Sequence, residues 1–381
     1  MSGKSNRGNG FDGLARRMGL GIRNSGLVVR GVAGVHRVGG TVLRYHSISD
    51  DHAWALDYVQ KSLVVTPELF ERQVAFLTKR YRVVNIGEMA GQMRSRGGVD
   101  PGSVAITFDD GYEDNYRCAF PILRKHGATA TFYITTGTVA DARILWTVGL
   151  RRAIRSCDRP TVSLSFLGER SVDLSTDARR EATIKMITSI GKRCKVEELE
   201  DILAEVHEET GHGPQAAPLP RRVMMNWDEI REMHGAGMTI GAHTHSHYNL
   251  PSLDTSDVAH EVVASRRAVE EELQAPVEHF AYPNGRTDRH CDARVAKVVA
   301  VAGFGSAVTS LAGPVSGRFS PYCIPRMGVA PRHGDLARLA ADMQYSKFRH
   351  QDRHVVDEIT RVLPARVRGF GANSSFHANS V

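Results

Sequence analysis

The chain has 381 residues, 41% of them hydrophobic, enough to bury a sizeable core as one large α/β domain or two smaller ones. Its formal charge of +7 arises from 49 basic residues interspersed with 42 acidic ones, without a lysine- or arginine-rich block. That pattern speaks against nucleic acid as a partner and is compatible with peripheral contact at an anionic membrane surface.

Five widely spaced cysteines (Cys118, Cys157, Cys194, Cys291 and Cys323) include no Cys-x-x-Cys pair. This argues against a disulfide framework and a thiolate zinc site, and for a reducing compartment. No apolar run reaches the length of a membrane span, and the N-terminus lacks a signal-peptide core, so a cytoplasmic location is expected, peripheral at the inner membrane face.

In chain order, residues 1–38 are rich in Gly, Arg, Ser and Asn and read as a flexible basic segment. A catalytic domain is expected over 39–350. Thr41–His46 is its first strand, and Ser47 to Gln60 a loop. Thr66-Pro67-Glu68 starts a helix, with Thr66 as N-cap and proline at the first helical position. Tyr81–Ile86 is a second strand and Ile86–Arg96 a short helix. Val104–Phe108 is an apolar strand ending in Asp109-Asp110-Gly111, followed by a helix over Tyr116–His126 and a strand over Ala130–Thr135. Such alternation predicts parallel βα units, whose strand ends collect on one face.

Between 138 and 222 the rhythm breaks. Helices are expected at Trp146–Ser156 and Asp177–His207, and Gly211–Pro220 reads as a linker, so this stretch is a helical insertion. The pattern resumes with Asn226 as N-cap of a helix reaching His234, then a strand over Met238–Ala242 that runs into His243-Thr244-His245-Ser246-His247. A helix over Ser256–Leu273, a strand over Val277–Tyr282, a helix over Asp288–Ala302 and a strand over Gly305–Val308 follow. Ile324–Val329 closes the domain, Asp335–Lys347 is a last helix, and 364–381 reads as a disordered tail.

Two stretches carry chemistry. Adjacent carboxylates at a strand end can divide labour, one holding a metal and the other handling protons, although Asp-Asp-Gly alone also makes an ordinary polar turn. In the histidine cluster, His243 and His247 converge if the chain turns helically, whereas an extended segment would also bring in His245. Two histidines and an aspartate at strand ends make a metal site with open positions, and a second aspartate beside it describes metal-assisted hydrolysis.

Thr107-Phe108-Asp109-Asp110-Gly111 and His243-Thr244-His245-Ser246-His247 resemble the first two motifs of the polysaccharide deacetylase family, the nodulation-protein-B homology domain of carbohydrate esterases. Tyr45-His46, Ala130–Tyr133, Trp227-Asp228 and Phe280–Gly285 agree in order and spacing. The resemblance implies a distorted (β/α) barrel and hydrolysis of N-acetyl groups from amino sugars of a polysaccharide or glycolipid. It makes Asp109 the general base, and Asp110, His243 and His247 the ligands of a divalent metal, zinc foremost. Tyr282, Pro283 and Trp227 become candidate substrate contacts, and a backbone N–H near Tyr282 or Thr135 a candidate oxyanion donor. Two departures stand out. The third motif lacks the family's arginine, and the fifth offers Ile324-Pro325-Arg326 in place of a histidine acid. Arg326 is then the candidate to orient the base, and His46 the candidate acid. Hydrolysis of another carbon–nitrogen bond, in a formamide or cyclic ureide, and a non-catalytic metal- or glycan-binding role are the alternatives.

Overall fold

A computed structural model describes residues 39–363 except 97, 142, 169, 213–220, 286–289, 318 and 346–349. The expected basic segment at 1–38, the tail at 364–381 and most of the linker therefore lie outside the described residues. Among those described, eight strands form one sheet: β1 (Thr41–Tyr45), β2 (Arg82–Val83), β3 (Ser103–Phe108), β4 (Thr131–Ile134), β5 (Thr239–Ala242), β6 (His279–Ala281), β7 (Ser306–Val308) and β8 (Met327–Gly328). Their order is β7-β6-β5-β4-β3-β1-β8, with β2 beside the start of β3, and every pairing is parallel. Ile324 bridges Val308 in parallel, and three residues later Met327 pairs with Leu43. The segment 324–328 thus joins both edges of the sheet, giving the distorted (β/α) barrel that the family resemblance implies.

Side-chain alternation sorts the strands into two faces. Leu43, Tyr45, Ile106, Phe108, Phe132, Ile134, Ile240 and Phe280 pack outward into the main core beneath the helices. Val42, Ala105, Tyr133, Ala281, Val308 and Ile324 form a smaller inner cluster. By the same parity Arg44, His46, Thr107, Asp109, Thr135 and His243 point inward, toward the C-terminal mouth. Gly241 is required on this inner face, because a Cβ there would meet the Tyr133 ring at 2.6 Å.

Several local expectations need correction. The loop expected from Ser47 to Gln60 contains the helix His52–Tyr58, started by Asp51, whose Oδ1 accepts from the Trp54 N–H at 3.0 Å. The strand expected over Tyr81–Ile86 shrinks to Arg82–Val83, since β2 meets only Ser103 and Val104 of its neighbour. The helix expected over Asp177–His207 is two, Asp177–Gly191 and Val196–Thr210. The break follows the packing at Gly191, where a Cβ would lie 2.7 Å from Leu199. The insertion also holds an antiparallel hairpin, Thr161–Leu164 with Arg170–Asp173, so it is not wholly helical. It carries its own apolar cluster, including Trp146, Leu150, Ile187 and Val206. No helix among the described residues is long and apolar enough to cross a membrane.

Candidate active site at the mouth of the barrel

The strand β3 ends where Asp110 and Gly111 both take positive φ, 76° and 90°. This sharp turn leaves Asp109 facing inward and swings Asp110 toward the histidine loop. Across β4, the loop after β5 carries two more left-handed non-glycine residues, Thr244 at 67° and His247 at 61°. Such conformations cost on the order of 1–3 kcal/mol each and persist only where surroundings over-determine them. Here the surroundings are visible. Thr136 and Gly137 donate N–H groups to the carbonyls of Thr244 and His245 at 3.2 and 2.8 Å. Thr244 Oγ1 accepts from the His247 N–H at 3.0 Å. Glu261, buried on the helix Thr255–Leu273, accepts from the N–H groups of His245 and Ser246 at 2.9 and 2.7 Å.

The result is a buried triad of Asp110, His243 and His247, whose ligating atoms lie within 4.8 Å of one another. The His243 Nδ1–H donates to Ala281 O at 2.7 Å, so in the neutral ring the Nε2 lone pair faces inward. It meets Asp110 Oδ1 at 3.4 Å, and His247 Nε2 meets the same oxygen at 3.3 Å. Lone pairs facing one another at this range call for a positive charge between them, a proton or a metal ion. The separations match the edge, about 3.3 Å, of a tetrahedron with metal–ligand bonds of roughly 2.0–2.1 Å. The donor set therefore fits a zinc-type ion. His245 is turned away from it, with Nδ1 against Thr136 Oγ1 at 3.1 Å.

Asp109 is held quite differently. Arg326 grips it in bidentate fashion, Nη1 to Oδ1 at 2.6 Å and Nη2 to Oδ2 at 2.8 Å. The guanidinium also donates to Thr309 O at 2.8 Å and Thr107 Oγ1 at 3.2 Å, and lies 5.5 Å over the Tyr133 ring. Both partners are buried, Arg326 to 0% and Asp109 to 2% exposure. Burial by itself would push the Asp109 carboxyl up, but the charge and hydrogen bonds of Arg326 lead the effects that outweigh it and hold the group at about 2. The carboxylate is therefore ionised at any physiological pH.

The remaining sequence candidates are placed less favourably. His46 lies on the inward face just past β1, where burial pushes its imidazole down to about 4 despite the nearby carboxylates. That direction favours the neutral ring and weighs against a proton-donating role. The Tyr282 side chain is buried in the core against Phe280, its hydroxyl donating to Tyr322 O at 3.0 Å, so it cannot touch a substrate. Pro283 is buried beside it, and Trp227 opens the helix Trp227–Gly235 while packing on the main core. The N–H groups of Tyr282 and Thr135 themselves are engaged, with Val308 O at 3.2 Å and Asp110 O at 3.4 Å, so an oxyanion donor there would come from a neighbouring residue.

Sequence reasoning missed three further contributors. Arg44, two residues before His46, donates to Ser310 Oγ, and burial together with Arg326 lowers its guanidinium to about 10. Lys192, just past the insertion helix Asp177–Gly191, is lowered to about 8 by burial, with the charges of Asp110 and Arg44 both reaching it. Trp146, also from the insertion, donates its indole N–H to His247 O at 3.3 Å. The inward parity of β1 could have flagged Arg44. Nothing in the insertion's own sequence marks Lys192 or Trp146.

A family model described as polysaccharide deacetylase matches residues 96–163 and 169–304. Over 94 residues the chain is 34% identical to the curated polysaccharide deacetylase homologue YxkH of Bacillus subtilis (strain 168), a stretch covering 24% of this chain and 30% of that relative's length. Among solved structures it is similar to the Streptococcus pyogenes deacetylase PplD in complex with acetate, at TM-score 0.53 and 18% identity, covering 81% of this chain and 99% of that one. It is also similar to IcaB from Ammonifex degensii, at TM-score 0.50 and 18% identity, covering 80% and 98%. At these identities the structural likeness concerns the fold.

Proposed function

Since the chain belongs to the polysaccharide deacetylase family, we propose that it is a metal-dependent hydrolase removing N-acetyl groups from amino sugars of a glycan or glycolipid. The observation that carries this reading is the side-by-side placement of two differently held aspartates. One belongs to a buried carboxylate–imidazole triad, and the other is gripped by a buried arginine.

Asp110, His243 and His247 would hold the ion, with zinc the best fit to an O,N,N donor set. Bound there, it would polarise the acetamide carbonyl and acidify a water. Asp109, fixed in orientation by both Arg326 bonds, accepts the proton of the attacking water. Once it holds that proton, the same Asp109 is placed to deliver it to the departing amine. This assigns acid and base to one residue and leaves His46 as a neighbour on the inward face. The net charge of +7 is compatible with a substrate presented at an anionic membrane surface.

The test is acetate release from N-acetylated oligosaccharides and glycolipids by the zinc-loaded protein, followed by mass spectrometry. Asp109→Asn is expected to lower turnover by about 10²-fold or more with zinc retained, and His243→Ala to lose zinc itself. His46→Gln is expected to stay within about tenfold of wild type, below the effect of losing a proton donor. Absence of acetate from every amino sugar overturns the substrate class, and a hundredfold loss in His46→Gln returns the acid role to that residue.

A further inference from the structure

Beyond this reading, the insertion touches the rest of the chain at several places, among them the helix His52–Tyr58 and, next to the candidate site, the residues directly after the histidine pair. The two ligand rings are secured in different ways. His243 has its Nδ1–H tied to Ala281 O at 2.7 Å, whereas the buried His247 Nδ1 has no hydrogen-bond partner among the described residues. The orientation of His247 therefore rests on its backbone, which is held at a φ of 61°.

That backbone is anchored from two sides. Its N–H donates to Thr244 Oγ1 within the loop, and its carbonyl accepts the Trp146 indole N–H at 3.3 Å. The next two residues are tied to the same insertion: Tyr248 Oη donates to Glu200 Oε1 at 3.2 Å, and Asn249 Nδ2 donates to Lys192 O at 2.8 Å. Trp146, Lys192 and Glu200 come from three separate helical segments, Trp146–Ser156, the cap of Asp177–Gly191, and Val196–Thr210. Gly191 lets the second and third of these approach, since its would-be Cβ lies 2.7 Å from Leu199. Trp146 is itself buried, with 9% exposure, so the bond is shielded from water.

We propose that the insertion is a positioning device for the metal site, with Trp146 orienting His247 through its carbonyl and Tyr248 and Asn249 completing the clamp. This rests on the metal reading above but not on the identity of the substrate. Metal ligands usually take their orientation from a bond to the second ring nitrogen. Here that bond is replaced, for one ligand, by a backbone clamp supplied from another part of the chain.

The experiment is zinc affinity of the full chain by chelator competition, with Co²⁺ absorption reporting ligand geometry. Trp146→Phe keeps a ring in place and deletes the N–H, Asn249→Ala removes the second tie, and Arg179→Ala alters an exposed insertion residue away from the junction. Trp146→Phe and Asn249→Ala are each expected to weaken zinc binding about tenfold and to change the Co²⁺ bands, with Arg179→Ala unchanged. If Trp146→Phe does not fold, Asn249→Ala and Tyr248→Phe carry the test. Folded variants that bind zinc within twofold of wild type overturn the proposal, as does an equal loss in Arg179→Ala. A wild-type protein that binds no zinc overturns the metal reading instead.

Discussion

Asp109 and Arg326 are buried together, and their pairing decides how the proposed base behaves. A carboxylate removed from water loses solvation, and only the bidentate guanidinium makes the charged form tenable. With Arg326→Met the carboxylate is left buried beside an apolar chain. Its pKa is expected to rise well above the present value of about 2. The acid limb of kcat/KM should then move to higher pH, and stability should fall by roughly 3–5 kcal/mol, as for other broken buried pairs. The sign follows from linkage. The folded-state pKa is depressed, so the pair's stabilisation is present above about pH 4 and is lost as pH falls toward 2. An acid limb at the wild-type position in a folded Arg326→Met protein would show that the arginine does not govern the base. Lysine should rescue poorly, because a point charge cannot reproduce the fork.

At the scale of elements, the histidine loop is a strained turn held by its neighbours, and Glu261 is the strongest of these ties. Its carboxylate takes two backbone N–H groups from the turn while 5% exposed. Glu261→Ala leaves both donors without that acceptor and is expected to cost about 2–4 kcal/mol, measured by urea unfolding, with a parallel loss of zinc affinity. Glu261→Gln keeps one acceptor oxygen and should cost less than half as much. Equal stability of the two variants would mean that the turn holds itself. The contrast also explains what was legible beforehand. Asp109-Asp110 and the histidine run could be read because a strand carries its side chains alternately and ends where glycine or left-handed residues allow a turn. Glu261 looked like one more polar residue on a helix. Arg326 lies 217 positions from the carboxylate it holds, and only the family resemblance made it a candidate, since barrel closure alone brings the two together. Tyr282 misled for the converse reason. It ends a strand near the mouth, but its parity is outward, so the ring belongs to the core.

Over the whole molecule, the barrel is closed by a segment that also completes the site. Ile324 meets β7, Met327 meets β1, and Arg326 between them reaches across to the end of β3. The triad adds a second cross-link, since Asp110 follows β3 while His243 and His247 follow β5, with β4 between. Zinc held there would tie two non-adjacent strands and bind only the folded chain, so it should stabilise the entire domain. At a free concentration 100 times its dissociation constant, a ligand of this kind contributes about 2.7 kcal/mol. For a chain of this size that corresponds to a shift in Tm of about 4 °C. Chelation is therefore expected to lower Tm by about that much at neutral pH and re-addition of zinc to restore it. The difference should shrink as pH falls, because protons compete for the same imidazole and carboxylate atoms. Asp110→Ala should melt at one temperature with or without chelator, which separates loss of the bound ion from a direct effect of the chelator. A wild-type Tm indifferent to zinc across this range would mean that the triad, despite its spacing, does not hold the ion.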